Sequence, residues 1–403
     1  MTTRLTNAQL IDGTGTPPIA DATVCFDQDT ISYAGPSAHA PQSPDDTIID
    51  VRGGTVLPGF IDSHVHLGFA HGAGPGKRAL EDPVHLVFDT AERLRMTLDA
   101  GITTARDLGG LPAGYRTAVA TGKVTGPRLH TAVRIISHTG GHADVRQPDG
   151  TDLSGGMSEI ADSVDEVRLA VRRVLRAGAD VVKVCATGGM ASPYDDPDDE
   201  GLLADELRAA VHEAQRHGGK PVAAHAQGTA GILNALRARV TSIEHGYGID
   251  DAGLDLAGEH GSYLVPTLST VYAGINRDTM PDYHYQKKTR WSGRTKENIA
   301  RAIERGVRIA MGTDAAVGPH GQNLRELAYL VDLGMSPMDA ILAGTRTAAE
   351  LLGLSDQLGT VTEGKHADLV VCQGDPLAAI EVLGDPANIV TVIKQGKVLK
   401  NLD

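Results

Sequence analysis

Apolar and polar residues alternate one by one near both ends of this chain. Such alternation, interrupted by Asp-Gly and Gly-Gly pairs, is typical of short β-strands joined by turns. The alternating stretches are residues 5–15, 20–35 and 47–59 near the start, and 358–374 and 387–401 near the end. Because the two ends share this pattern and the middle does not, we predict that both termini meet in one small β-sandwich domain.

The middle of the chain repeats another pattern, in which short apolar runs alternate with helical stretches. Residues 163–178 and 203–218 carry apolar residues at helical spacing and end at glycine, as helices commonly do. From Val56 onward the chain holds about eight such units, the number that closes a parallel barrel of about 250 residues. A doubly wound open sheet is the rival fold, but no glycine-rich dinucleotide loop follows the first strand.

We therefore predict an α/β protein, a (β/α)8 TIM barrel with a small β-sandwich domain built from both chain termini. The predicted domain limits are residues 1–57 for the first part of the sandwich, 58–357 for the barrel and 358–403 for the second part of the sandwich.

TIM barrels carry their working residues at the carboxyl ends of the strands. Five predicted strands carry residues there that bind metals or transfer protons. They are His64 and His66, Lys183, His225, His245 and Asp314. Side chains two residues apart along a strand point the same way, so His64 and His66 can reach one ion. The pattern predicts a metal site at one rim of the barrel.

Lys183 lies inside a strand that should be buried on both faces, where an ammonium group is penalised unless it is paired. Two interpretations of this residue are open. A carboxylate within the barrel can pair with the ammonium group. Alternatively, burial lowers the pKa until the neutral amine takes up carbon dioxide and forms a carbamate that bridges two cations. The histidines at other strand ends favour the second interpretation.

The composition of the chain argues against nucleic-acid-binding, membrane-spanning and disulfide-rich proteins. The formal net charge of −14 argues against a nucleic-acid partner, because phosphate binding needs clustered Lys and Arg. The sequence has no run of about 18 apolar residues that could span a membrane. Cys25, Cys185 and Cys372 are too few and too scattered for a disulfide framework or a zinc finger. We expect a cytoplasmic enzyme with a small-molecule substrate, and a homo-oligomer is compatible with the sequence.

Several segments, in this order, resemble the amidohydrolase superfamily: GFIDSHVHLG at residues 59–68, VKVCATGG at 182–189, HAQG at 225–228, IEHG at 243–246 and GTDA at 312–315. More narrowly, they are similar to its binuclear-zinc group, described as imidazolonepropionase-like or Xaa-Pro dipeptidase-like. Three further segments agree with that group: GGHAD at 140–144, ASPYDDPDDEG at 191–201 and PHGQNLREL at 319–327. The resemblance covers nearly the whole chain; its metal motifs are specific, and its substrate-contacting positions are not.

The resemblance implies two divalent metal ions, zinc by preference, and a carboxylated lysine. It assigns the first, more buried ion to His64, His66 and Asp314, and the second to His225 and His245. The N6-carboxylysine formed from Lys183 would bridge both ions together with a hydroxide. Nitrogen and carboxylate ligands suit zinc, and two metals about 3.5–4 Å apart can share one nucleophile. The bridging lysine also departs from the mononuclear deaminase branch, which makes deamination a poorer hypothesis.

The expected reaction is cleavage of an amide bond by the metal-bridging hydroxide. Asp314 is the expected general base and then general acid towards the leaving nitrogen. His142, in GGHAD, is the expected second catalytic residue, a donor to the substrate carbonyl or oxyanion. Tyr247 and Gln227 are further candidates for substrate binding. Cys185 is expected to serve packing, because the histidines that could activate it are better explained as ligands.

The substrate remains open at this stage. A dipeptidase or carboxypeptidase acting on L-Xaa-L-Xaa, including Xaa-Pro or a basic C-terminal residue, is the leading hypothesis. The acidic segment 194–200 is either a solvated surface or a feature that favours a cationic substrate side chain. N-acyl amino acids, carbamates and ureas are alternative substrates, because fold and metal do not identify the substrate. A non-catalytic oligomeric scaffold is the hypothesis from another class, and the intact ligand set speaks against it.

Overall fold

The computed structural model describes residues 2–72, 82–147, 149–153, 155–272, 275, 277–278 and 280–402. Its strands are β1 (Thr2–Leu10), β2 (Ile19–Asp27), β3 (Thr30–Pro36), β4 (Thr47–Asp50), β5 (Thr55–Pro58), β6 (Phe60–Val65), β7 (Ile102–Asp107), β8 (Arg128–Thr131), β9 (Ile135–Ser137), β10 (Ser158–Ile160), β11 (Val182–Cys185), β12 (Val222–Ala226), β13 (Ser242–His245), β14 (Tyr263–Val265), β15 (Leu369–Cys372), β16 (Ile389–Lys394) and β17 (Lys397–Asn401).

The α-helices are α1 (Pro83–Asp99), α2 (Gly114–Ala120), α3 (Val164–Arg176), α4 (Ala204–Arg216), α5 (Thr229–Arg237), α6 (Asp251–His260), α7 (Ser269–Tyr272), α8 (Asp282–Glu304), α9 (Arg325–Asp332), α10 (Pro337–Ala343) and α11 (Arg346–Leu351). Short 3-10 turns cover Ser37–His39 and Ile380–Gly384. Among the described helices, none combines the length and the apolar character needed to cross a bilayer.

Strands from both termini form one sheet. Its order is β17-β16-β15-β5-β1-β2-β3, and β4 pairs with β1. The junction between the two ends of the chain is the antiparallel pairing of β15 with β5. Side chains from both ends, among them Leu5, Val24, Phe26, Leu369 and Ile393, pack into a core that belongs to this sheet. The prediction that the termini meet is confirmed, whereas the sandwich arrangement and the domain limits stay predictions.

The middle of the chain supplies two parallel sheets, β6-β7-β8 and β10-β9-β11-β12-β13-β14. One predicted strand, residues 127–137, is split between them. Its first half, β8, pairs with β7, and its second half, β9, pairs with β11. The break lies at Val133, whose φ of 63° falls in the left-handed region that β-branched residues avoid. The split strand is thus the point where the two sheets are joined.

The predicted last strand, residues 306–315, is not a regular strand. It forms isolated parallel bridges, Leu264 with Ile309 and Val65 with Ala315. Backbone hydrogen bonds run from Ala310 N to Leu264 O (3.0 Å) on one side, and from Asp314 N to His64 O (2.7 Å) on the other. Asp314 has φ of 56°, a left-handed conformation that interrupts strand geometry. The segment nevertheless lies between β14 and β6 and joins the other ends of the two parallel sheets.

The helices predicted over residues 163–178 and 203–218 are confirmed as α3 and α4. In α3, Ser163 accepts a hydrogen bond from the backbone N–H of Glu166, which begins the helix with a side-chain cap. Val167, Ala170, Val171 and Val174 are buried, at the spacing that places them on one face of the helix. The apolar periodicity therefore identified both the helix and its buried face.

Asp368, next to β15, ties the terminal sheet to the parallel sheets. Its carboxylate accepts hydrogen bonds from Arg128 of β8 (2.8 Å) and from the backbone N–H of Gln395 (2.8 Å) in the β16–β17 turn. Asp368 is 4% exposed, so this is a largely buried ion pair. Removal of the carboxylate leaves the Arg128 guanidinium without its counter-ion.

We expect Asp368→Ala to lower the free energy of unfolding by about 2–4 kcal/mol, because a partly buried charge and a backbone donor lose their acceptor. Urea denaturation followed by circular dichroism measures this loss. Asp21→Ala is the matched control, because Asp21 is an exposed carboxylate of the same sheet. Equal unfolding midpoints for the two variants would contradict the role assigned to Asp368.

Candidate metal centre

The side chains that the sequence singled out lie at the carboxyl ends of neighbouring parallel segments. His64 is the last residue but one of β6, His225 lies in β12, His245 ends β13 and Lys183 lies in β11. The register aligns Cys185 of β11 with His225, and Ala226 of β12 with His245. Because parallel strands present their carboxyl ends at one edge, residues far apart in the sequence come together there.

His64 and His66 face the Asp314 carboxylate. The distance from Asp314 Oδ1 is 3.6 Å to His64 Nε2 and 3.3 Å to His66 Nε2. The two imidazole rings are 5.3 Å apart and nearly perpendicular. The His-x-His spacing therefore directs two nitrogen atoms towards the same carboxylate oxygen.

His225 and His245 lie beside this group. Their ring centroids are 4.6 Å apart, and the centroid of His245 is 5.1 Å from that of His64. His142 stacks on His225 with centroids 4.2 Å apart and planes inclined by 16°. The five histidines thus form one continuous cluster with His66 at one end and His142 at the other.

Each of the four histidines predicted as ligands holds the protein scaffold with one ring nitrogen. His64 Nδ1 donates to Glu244 (2.8 Å), His66 Nδ1 to Gly109 O (2.9 Å) and His225 Nε2 to Gly188 O (3.0 Å), while His245 Nδ1 pairs with Thr267 Oγ1 (2.7 Å). The second nitrogens of His64 and His66 face the Asp314 carboxylate, so the donor atoms of these three residues are directed at one point. Metal-binding histidines are commonly oriented in this way, so the arrangement fits a metal site.

Lys183 is 2% exposed, and its Nζ has no hydrogen-bond partner among the described residues. Burial lowers its pKa, and Glu244 opposes that shift. The Lys183 charge in turn contributes to lowering the pKa of His64, His225 and His245, which places the amine near all three imidazoles. A buried amine without a partner fits a group that is modified or bound to an ion better than a free ammonium group.

His64, His245 and Asp314 are the tightest of the candidate ligands, with ligand atoms all within 4.8 Å of one another. This trio combines residues that the resemblance assigns to different ions. Asp314 is close to both halves of the cluster, so the two expected ion positions are adjacent. The donor set of imidazoles and one carboxylate suits zinc and similar divalent ions.

The protonation states also suit ligands. Burial lowers the pKa of His64 and His225 well below the ordinary value and that of His245 to about 3, so these rings are neutral. Burial alone would raise the pKa of Asp314, but the hydrogen bond and charge of His66, whose own pKa Asp314 raises, hold the Asp314 pKa below its usual range. Metals bind neutral imidazole and ionised carboxylate.

Three residues of the site have left-handed backbones. His245, Asp314 and Thr267 have φ of 73°, 56° and 49°. Such conformations cost about 1–3 kcal/mol for residues with a side chain and persist where the surrounding structure imposes them. They turn the strand ends so that the side chains of His245 and Asp314 point to the same place.

His142 is held by Asp195, whose Oδ2 lies 3.1 Å from His142 Nδ1 and also accepts the N–H of Gly189 (3.1 Å). A Cβ at Gly189 would lie 2.2 Å from the His142 ring, so only glycine fits there. The acidic segment is therefore not uniformly solvated: Asp195 is buried, while Asp198 and Asp199 are exposed.

The other substrate-binding candidates lie within the same cluster. Tyr247 is buried 5.4 Å from His245 and its hydroxyl pairs with Thr267 (3.1 Å) and Thr270 (2.5 Å). Gln227 is 5% exposed, and its Oε1 has no partner among the described residues. Burial raises the pKa of Cys185 to about 12, which agrees with a packing role.

Several supporting residues had no assigned role in the sequence. Asn323 and Glu326 belong to the motif PHGQNLREL. Asn323 donates to Asp62 (2.7 Å), which also accepts from Thr313 Oγ1 (2.7 Å) beside Asp314. Glu326 accepts the backbone N–H of Ser269 (2.7 Å) and so fixes the loop that carries Thr267. The motif resemblance marked this segment, but no spacing rule indicated its partners.

The comparisons with known proteins agree with this site. The profile of the amidohydrolase family matches residues 55–399. The chain belongs to the amidohydrolase family. This amidohydrolase is accordingly a metal-dependent hydrolase acting on C–N bonds.

Three proteins of known activity are similar to this amidohydrolase over nearly its whole length. Ochratoxinase of Aspergillus niger is 31% identical, with 97% of this chain and 85% of that protein covered. A Xaa-Pro dipeptidase crystallised with bound methionine is 33% identical, with TM-score 0.91 and 100% of both chains covered. A prolidase complexed with N-methylphosphonate-L-proline is 32% identical, with TM-score 0.93 and 100% of both chains covered. The resemblance to the Xaa-Pro dipeptidase-like group is confirmed.

The contacts of Glu244 with His64 and Arg106 lead to a testable prediction for this amidohydrolase. Its carboxylate accepts from His64 and, on the other oxygen, from Arg106 (2.8 Å), and both Glu244 and Arg106 are buried. We expect Glu244→Gln to weaken zinc binding about 10- to 100-fold, because the amide keeps only one acceptor oxygen, for which His64 and Arg106 then compete. The same change should lower the free energy of unfolding by about 3–5 kcal/mol, because the buried Arg106 charge loses its counter-ion.

Zinc affinity is measured by competition with a chromophoric chelator, and stability by urea denaturation. Arg95→Ala is the control, because the Arg95–Asp99 pair is exposed and should contribute under about 1 kcal/mol. Unchanged zinc affinity in Glu244→Gln would show that Glu244 does not orient a ligand.

Proposed function

We propose that this amidohydrolase is a binuclear metal-dependent amide hydrolase, most specifically a dipeptidase or carboxypeptidase of the L-Xaa-L-Xaa type. The observation that carries the proposal is the cluster of four imidazoles, each oriented by the scaffold through one ring nitrogen, around the Asp314 carboxylate and the Lys183 amine, which has no partner among the described residues. Hydrolysis catalysed by protein side chains without a metal would not need four imidazoles directed at the same place.

His64, His66 and Asp314 would hold one ion, His225 and His245 would hold the other, and a carboxylated Lys183 would serve as a further ligand. The short distances between the two groups support adjacent ions. Bound ions of this kind polarise a carbonyl group and make water a nucleophile at neutral pH. Zinc is the preferred ion on donor chemistry.

Asp314 is proposed to accept the proton of the attacking water and to deliver it to the leaving nitrogen. Its carboxylate is ionised and lies in the centre of the cluster, which supports this role. His142 is proposed to donate a hydrogen bond to the carbonyl oxygen as negative charge develops there. The contact with Asp195 leaves Nε2 of His142 for the substrate.

Relatives support an amide substrate with an amino acid on the leaving side. The similar structures include a prolidase holding a phosphonate of L-proline and a Xaa-Pro dipeptidase holding methionine. A basic C-terminal residue receives less support, because Asp195 lies 3.9 Å from Lys287 and Asp196 is paired with Arg290. Tyr247 and Gln227 are proposed to line the substrate site, with the Gln227 amide oxygen available to a donor.

N-acyl amino acids, carbamates and ureas remain the second proposed class of substrate. The similarity to ochratoxinase supports amide hydrolysis and does not distinguish this class from the first. We also infer that the parallel segments close into an eight-stranded barrel and that the terminal sheet folds into a sandwich. The hydrogen bonds of segment 306–315 to both of its neighbours support the closure.

Replacement of Asp314 separates catalysis from metal binding. We expect Asp314→Asn to keep zinc content near normal, because four imidazoles and Lys183 remain, and to abolish turnover, because an amide cannot carry the proton. Zinc is measured by inductively coupled plasma mass spectrometry, and turnover by release of the amino acid. Substantial activity in this variant would remove Asp314 from the proposed proton transfer.

A substrate library tests the reaction. We expect zinc-loaded enzyme to release amino acids from L-Xaa-L-Xaa dipeptides, including Xaa-Pro, faster than from matched N-acyl amino acids, carbamates and ureas. Amino acid release is measured by mass spectrometry, with Asp314→Asn protein as the control for contaminating peptidases. Faster cleavage of carbamates or ureas would favour the second class, and no cleavage of any amide would refute the proposal.

A further inference from the structure

Helix α8 covers the side of the site next to the loop that follows β11. Tyr283 donates to Ala191 O (3.2 Å), and Lys287 donates to Ser192 O (2.7 Å) of that loop. Further along the helix, Asn298 donates to the carbonyl of Tyr247 (2.8 Å). The helix is thus held, near its start and again at Asn298, to segments that carry site residues.

Lys288 lies on the buried face of this helix, one turn before Trp291. Trp291 packs with Met190 and Tyr247, so this face is directed towards the site. Lys288 is 5% exposed, and no hydrogen bond or ion pair connects it to any of the described residues. Its neighbour Lys287, in contrast, donates to three backbone carbonyls.

The surroundings of Lys288 offer no dedicated counter-ion. Burial lowers its pKa, and the charge that opposes this shift is that of Asp314. Asp314 is already committed to the imidazoles of His64 and His66. His284, one turn before Lys288, is neutral, because burial and the two adjacent lysines lower its pKa to about 4. A buried ammonium group without a partner is costly, so an anionic ligand is the natural partner for it.

We propose that the Lys288 ammonium group binds the free carboxylate of the amino acid on the leaving side of the scissile amide. This inference rests on the proposed function, in which Asp314 protonates the leaving nitrogen. In an α-amino acid the carboxylate carbon is two bonds from that nitrogen, so a cation on the helix face that packs against Tyr247, beside His245, is placed to meet the carboxylate. Lys288 thereby selects peptides and acyl amino acids with a free carboxylate over neutral carbamates, ureas and peptide amides.

The test compares acid and amide forms of the same substrates. The probes are L-alanyl-L-proline, L-alanyl-L-phenylalanine and L-alanyl-L-arginine, each with its C-terminal amide, on zinc-loaded enzyme. We expect wild-type enzyme to prefer the acids. Lys288→Met should raise KM for the acids about 10- to 100-fold, as expected for a lost charged hydrogen bond, with kcat changed much less and the amides unaffected.

Lys288→Arg should restore part of the preference for acids, because it keeps the charge. Lys296→Met is the matched control: Lys296 lies on the same helix, stacked 3.8 Å over the Tyr272 ring, and should leave both substrate classes unchanged. An equal loss on acids and amides in Lys288→Met, or a wild-type enzyme without preference for acids, would overturn the proposal.

A binding measurement separates this inference from the proposed reaction. Calorimetry with free proline, phenylalanine and arginine, and with their amides, does not depend on turnover. If wild-type enzyme cleaves no dipeptide, the proposed function fails. The Lys288 assignment then stands only if wild type binds at least one amino acid and Lys288→Met weakens that binding tenfold or more. Absence of amino acid binding to wild type refutes it.

Discussion

The buried carboxylate of Glu244 is the point at which the fold and the site depend on each other. One oxygen accepts the guanidinium of Arg106 on β7, and the other accepts Nδ1 of His64 on β6. Arg106 also donates to the carbonyl of Ser63 (2.6 Å), so one ion pair connects three strands beneath the imidazoles. Because neither charge reaches water, each is tolerated only while the other is in place. The orientation of His64 is therefore a consequence of the pairing that stabilises the parallel sheets.

Apolar periodicity was sufficient to predict most of the described strands and helices α3 and α4. Helices α3 and α4 follow from spacing and capping, and the terminal strands follow from alternation, because these signals are local. The irregular last segment could not be predicted in this way. Its backbone leaves strand geometry at Asp314, which donates its N–H to the carbonyl of His64, a residue 250 positions earlier in the sequence. Conformations imposed by distant partners leave no periodic signal.

In the site, too, residues marked by local sequence signals could be predicted, and residues defined by distant partners could not. His64, His66, His225 and His245 were recognisable, because strand ends and motifs are local features of the sequence. Their partners were not, since Gly109, Gly188, Glu244 and Thr267 are ordinary residues that gain a role only from the ring nitrogen placed against them. Lys288 was missed for a related reason, because a lysine within a polar helix gives no sign of burial.

Two buried lysines in one site raise an electrostatic difficulty that the proposed function resolves. Lys183 and Lys288 both have lowered pKa values through burial, and Asp314 is a carboxylate whose charge acts on both. Glu244 also acts on Lys183 but is already paired with Arg106, so Asp314 cannot neutralise two ammonium groups together with bound cations. In the proposed function, carboxylation would convert Lys183 from a cation into an anion that compensates the metal charge, while Lys288 would keep its charge for the substrate carboxylate. The two lysines would then have different roles. Lys183 would be a metal ligand, and Lys288 would be a cation whose counter-ion is the carboxylate of the substrate.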